Sequence, residues 1–226
     1  EERSSTIVPM TFVVPQNLEN GQQIIINAQI YDDSGYYFND SIQITVGQTS
    51  TVFIDEAESG IGLWNTNGWG ATQFDSYSGD YSFTDSQFGD YNNNSSTYIQ
   101  LDQSISLVGV VSPYIQFNAR WNIEQSWDWV QVLVSSNQSN WVVMQGDNMS
   151  TGSGQGVQNS NQYGYDGNSD WITEKIDLSE FEGLENIWVQ FRLQSDEWVT
   201  GDGFYFDNFM IKGYSANNYI DGDVNG

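Results

Sequence analysis

The chain has 226 residues, of which 38% are hydrophobic and 15% aromatic, so it carries enough apolar side-chain area to fold around a core. Thirty Asp and Glu against five Lys and Arg leave a formal charge of -25, which makes nucleic acid and anionic lipid headgroups poor partners. Histidine and cysteine are absent, which excludes Ser-His-Asp and Cys-His catalysis, histidine-ligated zinc and disulfides.

No run approaches the roughly 18 apolar residues of a membrane span, and residues 1–20 show no charged-then-apolar leader. We therefore expect a mature chain without membrane insertion. Abundant Asn, Ser, Gly and Asp with few cations indicate an extracellular protein that meets divalent cations. An acidic cytosolic protein is the alternative.

The first segment of the chain, residues 1–48, contains three predicted strands. They are MTFVVP (10–15), QQIIINAQIYDD (22–33) and DSIQITVG (40–47). Three strands are too few to close a sandwich, so we predict that residues 1–48 are the C-terminal part of an immunoglobulin-like domain. The alternative is that they belong to the main sandwich.

The main segment, residues 52–213, repeats apolar residues at intervals of two, which is the pattern of half-buried strands. Many short strands separated by turn-rich loops predict an all-β protein, an antiparallel jelly-roll β-sandwich. The alternating sets are Ile115, Phe117, Ala119 and Trp121, then Val130, Val132 and Val134, then Ile187, Val189, Phe191 and Leu193. LSEFEGL (178–184) predicts a short helical turn capped by Ser179.

Two acids flank a predicted turn in the stretch RWNIEQSWDWVQVLVS, residues 120–135. Glu124 and Asp128 have the spacing of a glycosidase acid and base, whose carboxyl groups lie roughly 5 to 10 Å apart. The interpretation we favour is structural: Arg120 or Arg192 binds these carboxylates through bidentate hydrogen bonds.

The chain ends in a polar segment, residues 214–226, which we predict to be an acidic linker that begins a calcium-repeat-like motif. Asp221, Asp223, Asn225 and Gly226 match the first half of the calcium loop D-x-[DN]-x-[DN]-G, but the later ligands are missing from the sequence. A chance match within a plain acidic linker is the alternative.

Most of the chain, from about residue 52 to 213, resembles a known family. The segments that carry the resemblance are DEAESGIGLWNTNGWG, SGDYSFTDS, FNARWNIEQSWDWVQVLVSS, DWITEKIDLSEFEG and DGFYFDNFMI. They resemble the jelly-roll module of secreted bacterial peptidases, which include immune inhibitor A-type metalloproteases, zinc carboxypeptidases and subtilisin-like proteases. This module is related to the MAM domain of cell-surface proteins.

The resemblance implies a non-catalytic accessory domain of a secreted bacterial hydrolase, at the cell surface or outside the cell. Its partners would be the catalytic domain of the parent protein and an extracellular protein or glycan. The H-E-x-x-H peptidase motif does not occur in this sequence, so the chemistry would reside elsewhere in the parent.

One aspartate falls in an apolar strand pattern. In DGFYFDNFMI, period-two alternation places Asp207 on the same strand face as Tyr205, Phe209 and Ile211. Burying an unpaired carboxylate costs several kcal/mol, so Asp207 would need a cation or several donors. With so few Lys and Arg, bound calcium is the simplest solution.

The calcium ligands can be named from the resemblance, which implies that the acidic start of the first strand lies beside the Asp of the last strand. We predict Asp55, Glu58 and Asp207 as ligands, with Asp85 and Asp202 as secondary candidates. The alternative is that these are solvated loop acids or turn caps.

Two further functions stay open on the sequence alone. A carbohydrate-binding module would stack sugar rings on exposed aromatics, with the polar loop 158–170 binding hydroxyls, whereas an adhesion domain would bind a protein. Alternation also requires that Trp121, Trp127 and Trp129 do not all face the core. The tryptophans available for stacking are Trp64, Trp69, Trp127, Trp188 and Trp198.

Overall fold

A computed structural model describes Leu18, residues 21–31, Gly35 and residues 37–215 of the chain. The predicted strand at 10–15 and the predicted calcium-loop start at 221–226 lie outside these residues. No helix within the described residues is long and apolar enough to cross a bilayer.

The described residues form strands joined by turns, with a single short 3-10 helix at Ser179–Phe181. The strands in chain order are β1 Gln23–Tyr31, β2 Tyr37–Thr45, β3 Thr49–Asp55, β4 Trp64–Asn67, β5 Gly70–Thr72, β6 Ser82–Thr84, β7 Ser96–Leu101, β8 Val110–Ile123, β9 Trp129–Ser135, β10 Val142–Val143, β11 Ser150–Thr151, β12 Tyr163–Gly164, β13 Gly167–Asp177, β14 Trp188–Gln194 and β15 Gly203–Ser215.

Two antiparallel sheets form the sandwich. One contains β13, β8, β15, β6 and β5 in that order, with β3 pairing along the C-terminal half of β15. The other contains β10, β9, β14, β7 and β4. The predicted all-β antiparallel sandwich is therefore confirmed.

The core between the sheets is aromatic. On β14, Val189, Phe191 and Leu193 are buried in the core, as period-two alternation requires. The Phe191 ring stacks on Phe206 of the opposite sheet, with centroids 4.1 Å apart and planes 9° apart, and Phe117 meets Phe191 edge-on at 5.1 Å. These contacts join the two sheets at the centre of the sandwich.

A β-bulge changes which face of β15 is buried. The register with β8 shifts between Asp207 and Met210, where Asn208 has a φ of 51°. Because the bulge adds one residue, Phe209 lies on the same core face as Phe206. Asp207, between them, faces away from the core. The predicted common face of Asp207 with Phe209 and Ile211 is therefore wrong.

The hairpin β1–β2 forms a separate two-stranded sheet in the described part of the chain. Ile26 pairs with Ile42 and Ile30 with Phe38, so one hairpin face is apolar. Ile42 is still 54% exposed. The division of the chain into 1–48, 52–213 and 214–226 stays a prediction.

The short helical turn predicted at residues 178–184 is confirmed by the 3-10 helix, but its cap was wrongly assigned. Leu178 occupies the cap position and no side chain caps the helix. The hydroxyl of Ser179 instead donates to Asp177 Oδ1 at 2.6 Å. Ser179 thus stabilises a local turn by donating to the Asp177 side chain.

Candidate functional site

Three connections meet at one end of the sandwich, which we call the loop end. They are the β6–β7 loop (85–95), the β8–β9 turn (124–128) and the β14–β15 loop (195–202). Antiparallel pairing places them together, because Gln194 at the end of β14 pairs with Trp129 at the start of β9.

Hydrogen bonds hold the loop end together. Tyr91 N donates to Gly201 O at 3.1 Å, and Ser195 N donates to Ser95 O at 3.0 Å. The Tyr91 hydroxyl donates to Asp128 Oδ2 at 2.9 Å and accepts from Glu124 N at 3.0 Å. The buried Tyr91 side chain thereby links two of the three connections.

Three carboxylates converge inside the loop end. Glu124, Asp128 and Asp196 each offer an oxygen within 4.8 Å of the others, and within the described residues no other group of three acids does so. Asp128 is wholly buried, and its Oδ1 accepts from Asp196 N at 2.7 Å. Glu124 Oε2 is buried without a hydrogen-bond partner.

The pKa values of this acidic group follow from its enclosure. Burial raises the pKa of Glu124, and the neighbouring charges of Asp128 and Asp196 raise it further. Burial also raises the pKa of Asp128, against the lowering effect of its hydrogen bonds from Asp196 N and Tyr91. Binding a proton or a cation would therefore stabilise these three carboxylates.

The arginine contacts predicted for Glu124 and Asp128 are wrong. Arg120 Nε lies 2.9 Å from Asp75 Oδ2, and its Nη2 bonds Asp202 Oδ2. Arg192 Nη2 donates to the Gln131 side chain at 2.8 Å. Both arginines lie on outer strand faces. The partners of Arg120 come from distant loops, whereas the partner of Arg192 is Gln131, its paired neighbour on β9.

Enclosure also argues against glycosidase chemistry by Glu124 and Asp128. Asp128 has no exposed surface, and each of its oxygens already accepts a hydrogen bond. A glycosidase acid must reach the scissile oxygen of a bound sugar. Asp128 therefore holds the turn in place.

The predicted calcium ligands on the outer face lie around the β5–β6 loop, residues 73–81. Asp207 is wholly buried; Oδ2 accepts from Tyr77 N at 3.0 Å and Ser78 N at 2.9 Å, and Oδ1 accepts from Asn208 N at 2.6 Å. Burial raises the pKa of Asp207, and the charge of Glu58 adds to the rise. The structure thus brings Glu58 and Asp207 into electrostatic contact.

Glu58 and Asp55 also accept hydrogen bonds. Glu58 Oε1 accepts from Asp80 N at 2.8 Å and Tyr81 N at 3.0 Å. Asp55 accepts from the Trp64 indole at 2.7 Å and from its own turn at Ala57 N, 3.0 Å. Burial is the main cause that raises the pKa of Asp55.

The secondary candidates have different surroundings. Asp202 bonds Arg120 and accepts from the Tyr205 hydroxyl at 2.9 Å, so an internal cation already neutralises it. Asp85 accepts from Phe204 N at 2.6 Å through Oδ1, whereas its buried Oδ2 has no partner. Burial raises the pKa of Asp85 to about 7, and the nearby Asp202 charge contributes to the rise.

Several aromatic side chains at the loop end are exposed to solvent. Phe88 is 99% exposed, Trp198 75% and Trp127 41%, and Val199 beside them is 53% exposed. Phe88 was missed in the sequence because polar turn residues surround it. A lone phenylalanine inside DSQFGDYNNN is the signal that identifies it.

The other tryptophans divide between core and partly exposed positions. Trp64 and Trp69 are core residues and cannot stack a ligand, and Trp188 is half-buried. Trp121 and Trp129 are buried. The prediction that Trp121, Trp127 and Trp129 do not all face the core is confirmed, since Trp127 lies at the surface.

The chain matches the family described as "Immune inhibitor A-like, MAM domain" over residues 72–224, more than half of its length. It is also 32% identical over 110 residues to Bacillopeptidase F of Bacillus subtilis (strain 168). That alignment covers 48% of this chain and only 6% of Bacillopeptidase F.

Solved β-sandwich domains resemble the chain at low identity. The K3 cleaved adhesin domain of Lys-gingipain from Porphyromonas gingivalis W83 has a TM-score of 0.45 and 16% identity, covering 72% of this chain and 99% of that domain. The CBM22-1 xylan-binding domain of Paenibacillus barcinonensis Xyn10C has a TM-score of 0.43 and 13% identity, covering 77% and 100%. Likenesses this low do not indicate a shared ligand.

Proposed function

Because the chain belongs to the immune inhibitor A-like MAM domain family, we propose that it is a non-catalytic accessory domain of a secreted bacterial peptidase. Its loop end would contact a substrate protein or a surface outside the cell. The observation that carries this proposal is the set of exposed side chains Phe88, Trp198 and Val199 on loops fixed by hydrogen bonds. Exposed aromatics on a rigid scaffold are typical of binding surfaces.

The similarity to Bacillopeptidase F supports a peptidase parent. In such a parent, an accessory domain would hold the catalytic domain near its substrate, since linking two binding events raises their effective concentration. The absence of His and Cys from the sequence supports a role without nucleophilic catalysis.

Binding by the loop end can be tested with the purified chain on protein and glycan arrays. We expect retention of a ligand by the wild-type chain and its loss in Trp198→Ser combined with Phe88→Ser. Phe74→Ser, at a residue 77% exposed on the β5–β6 loop, is the matched control and should retain the ligand. Hydrolysis of a protein or glycan by the purified chain would contradict the non-catalytic role.

Calcium is the proposed stabilising ion of the sandwich, with Asp55, Glu58 and Asp207 as its ligands and Asp85 and Asp202 as secondary candidates. No three of these acids lie within 4.8 Å of one another in the structure, so binding one ion would require their carboxylates to move together. Their carboxylate oxygens are the hard ligands that calcium prefers, and the interaction between Glu58 and Asp207 favours a cation. Backbone N–H groups of the β5–β6 loop already donate to Asp207 and Glu58, so calcium would compete with them. Asp202 fits least, because Arg120 neutralises it.

Calorimetric unfolding in chelator and then in calcium tests this ion. An ion that binds only the folded state adds about 2.7 kcal/mol at a hundredfold excess over Kd. We expect Asp207→Asn to lose this gain and Asp170→Asn, at an exposed residue, to keep it. Loss of the gain in Asp128→Asn instead would move the ion to the loop end, and no gain in the wild-type chain would exclude calcium as a stabilising ion.

A carbohydrate ligand is the second candidate function, favoured by the Trp198 ring beside a polar side chain. Asn93 Nδ2 donates to Trp198 O at 3.0 Å, so an amide that can bind hydroxyls lies next to an exposed indole. Sugar rings stack on such indoles through their C–H faces. Retention on neutral glycans of the array, lost in Trp198→Ser, would favour this function.

A further inference from the structure

The loop end combines its exposed aromatics with uncompensated negative charge. Its three connections contain no Lys or Arg. Asp90 and Glu197 are exposed, while Glu124 and Asp196 are half-buried. The acids of the three connections are Asp85, Asp90, Glu124, Asp128, Asp196, Glu197 and Asp202.

Among the cationic side chains in the described residues, only Arg120 forms an ion pair with an acid of the loop end. Arg120 neutralises Asp202, but it also pairs with Asp75 and lies 4.3 Å from the Tyr205 ring, which holds it on the outer face. Lys175 lies 4.3 Å from the Tyr114 ring, on strands whose paired ends lie away from the loop end. Arg192 donates to Gln131, and among the described residues neither Arg192 nor Lys212 forms an ion pair with an acid. The acids of the loop end other than Asp202 therefore form no ion pair within the described residues.

The backbone of Trp198 is held in place among these acids. Trp198 N donates to Asp196 Oδ1 at 3.1 Å, and Asn93 Nδ2 binds Trp198 O at 3.0 Å. The indole is therefore displayed by a fixed backbone beside two acids, Asp196 and Glu197. A fixed backbone lowers the entropy cost of binding.

An indole or phenyl face next to carboxylates suits a ligand that carries an ammonium or guanidinium group. The ring face attracts the cation, and the carboxylates form charge-assisted hydrogen bonds with its N–H groups. A neutral sugar would leave the carboxylates uncompensated, and an acidic glycan would be repelled. Charge complementarity thus favours a basic partner.

We propose that the loop end binds a lysine- or arginine-rich segment of a partner protein through Trp198, Phe88 and the surrounding acids. The inference rests on the proposed binding function and names the chemical class of its partner. For an accessory domain of a peptidase, such a segment on a substrate protein would bring basic substrates to the catalytic domain.

Binding of a fluorescein-labelled octalysine peptide to the full chain, measured by anisotropy at low ionic strength, tests this inference. Two double variants remove the loop-end chemistry: Phe88→Ser with Trp198→Ser, and Asp90→Asn with Glu197→Gln. We expect each to weaken binding by at least about tenfold, because a few residues carry most of the binding energy of an interface. Added salt should weaken wild-type binding.

Two control variants separate a local site from general attraction to an acidic protein. Phe74→Ser removes an exposed aromatic elsewhere, and Asp102→Asn removes an exposed acid after β7. We expect both to bind octalysine within about twofold of wild type, as surface changes away from a site do. Equal losses in the loop-end and control variants, or no binding by the wild-type chain, would overturn the inference.

The array experiment keeps this inference distinct from the proposed function. The array reports ligands of any charge. A neutral or acidic ligand that Trp198→Ser with Phe88→Ser loses would leave the binding function standing while the basic-segment inference fails. Binding of octalysine that depends on Trp198 supports both.

Discussion

Two buried aspartates of this protein are stabilised to different degrees. Asp207 on the outer face accepts three backbone N–H groups, from Tyr77, Ser78 and Asn208. Asp128 at the loop end accepts a hydroxyl and one backbone N–H, and it shares its site with two more carboxylates. Both are wholly enclosed, so the difference lies in their neighbours.

The comparison shows that burial alone does not decide what a carboxylate needs. Asp207 has donors on both oxygens, so its charge is dispersed by the loop that covers it. Asp128 adds like charge to an acidic group whose Glu124 Oε2 has no donor. Burial raises the pKa of both aspartates, so ionisation costs stability at each. At Asp207 three N–H donors offset part of that cost, whereas at the loop end the charges of the neighbouring carboxylates add to it.

The largest expected effect concerns Asp85, a third buried carboxylate with a donor on only one oxygen. Its pKa is about 7 in the folded chain against 3.8 ordinarily. Because the folded pKa is raised, the stability that the protonated group contributes is present below pH 3.8 and is lost as the pH rises through 7. We expect Asp85→Asn to reduce this loss, by at most about 4 kcal/mol at about 1.4 kcal/mol per pKa unit.

Denaturant unfolding at pH 5 and pH 8 in chelator measures the Asp85 effect. The wild-type chain should be less stable at pH 8, and Asp85→Asn should be the more stable of the two at that pH. Asp90→Asn, at an exposed residue of the same loop, should keep the wild-type pH difference. An unchanged pH difference in Asp85→Asn would show that its carboxyl is not the cause.

A smaller loss is expected from Asp207→Asn in chelator. Whichever way the amide points, its NH2 group faces a backbone N–H that Asp207 now accepts. Leaving a buried donor unsatisfied costs about 1 to 3 kcal/mol, or about 2 to 12 °C in Tm for a chain of this size. Asp170→Asn is the exposed control, and a Tm equal to wild type in Asp207→Asn would refute the role of these three hydrogen bonds.

The strand pattern was predictable because a sheet buries one face at a time. Val189, Phe191 and Leu193 follow period two without interruption, and the structure places all of them in the core. Asp207 was not predictable, because the bulge at Asn208 inserts one residue into the alternation. Such a bulge depends on pairing with β8 and leaves no clear trace in local hydrophobicity.

The acidic group at the loop end was only half predictable. Glu124 and Asp128 flank one turn, so their proximity is evident from spacing. Asp196 joins them from 68 residues away, and the contact depends on how β14 pairs with β9. Arg120 shows the same limit, since Asp75 and Asp202 come from distant loops.

The smallest expected effect is that of Asp128→Asn in chelator. The sign of its change in the free energy of unfolding distinguishes Asp128 from Asp207. The new Oδ1 can still accept from Asp196 N, and the new NH2 group can donate to the Tyr91 oxygen, so only the Tyr91 hydroxyl proton loses its acceptor. The substitution also removes one charge from the repelling group, which favours the folded state and offsets that loss. We therefore expect a free energy of unfolding equal to wild type or higher by up to about 1 kcal/mol.

Denaturant unfolding at pH 8 in chelator, side by side with Asp207→Asn, measures this sign. Asp128→Ala serves as the matched comparison, because it removes the same charge but leaves the Asp196 N–H without an acceptor, which costs about 1 to 3 kcal/mol. A loss in Asp128→Asn as large as that in Asp207→Asn would mean that the ionised Asp128 is stabilised as fully as Asp207. The acidic group would then need no proton or cation, and the contrast between the loop end and the outer face would disappear.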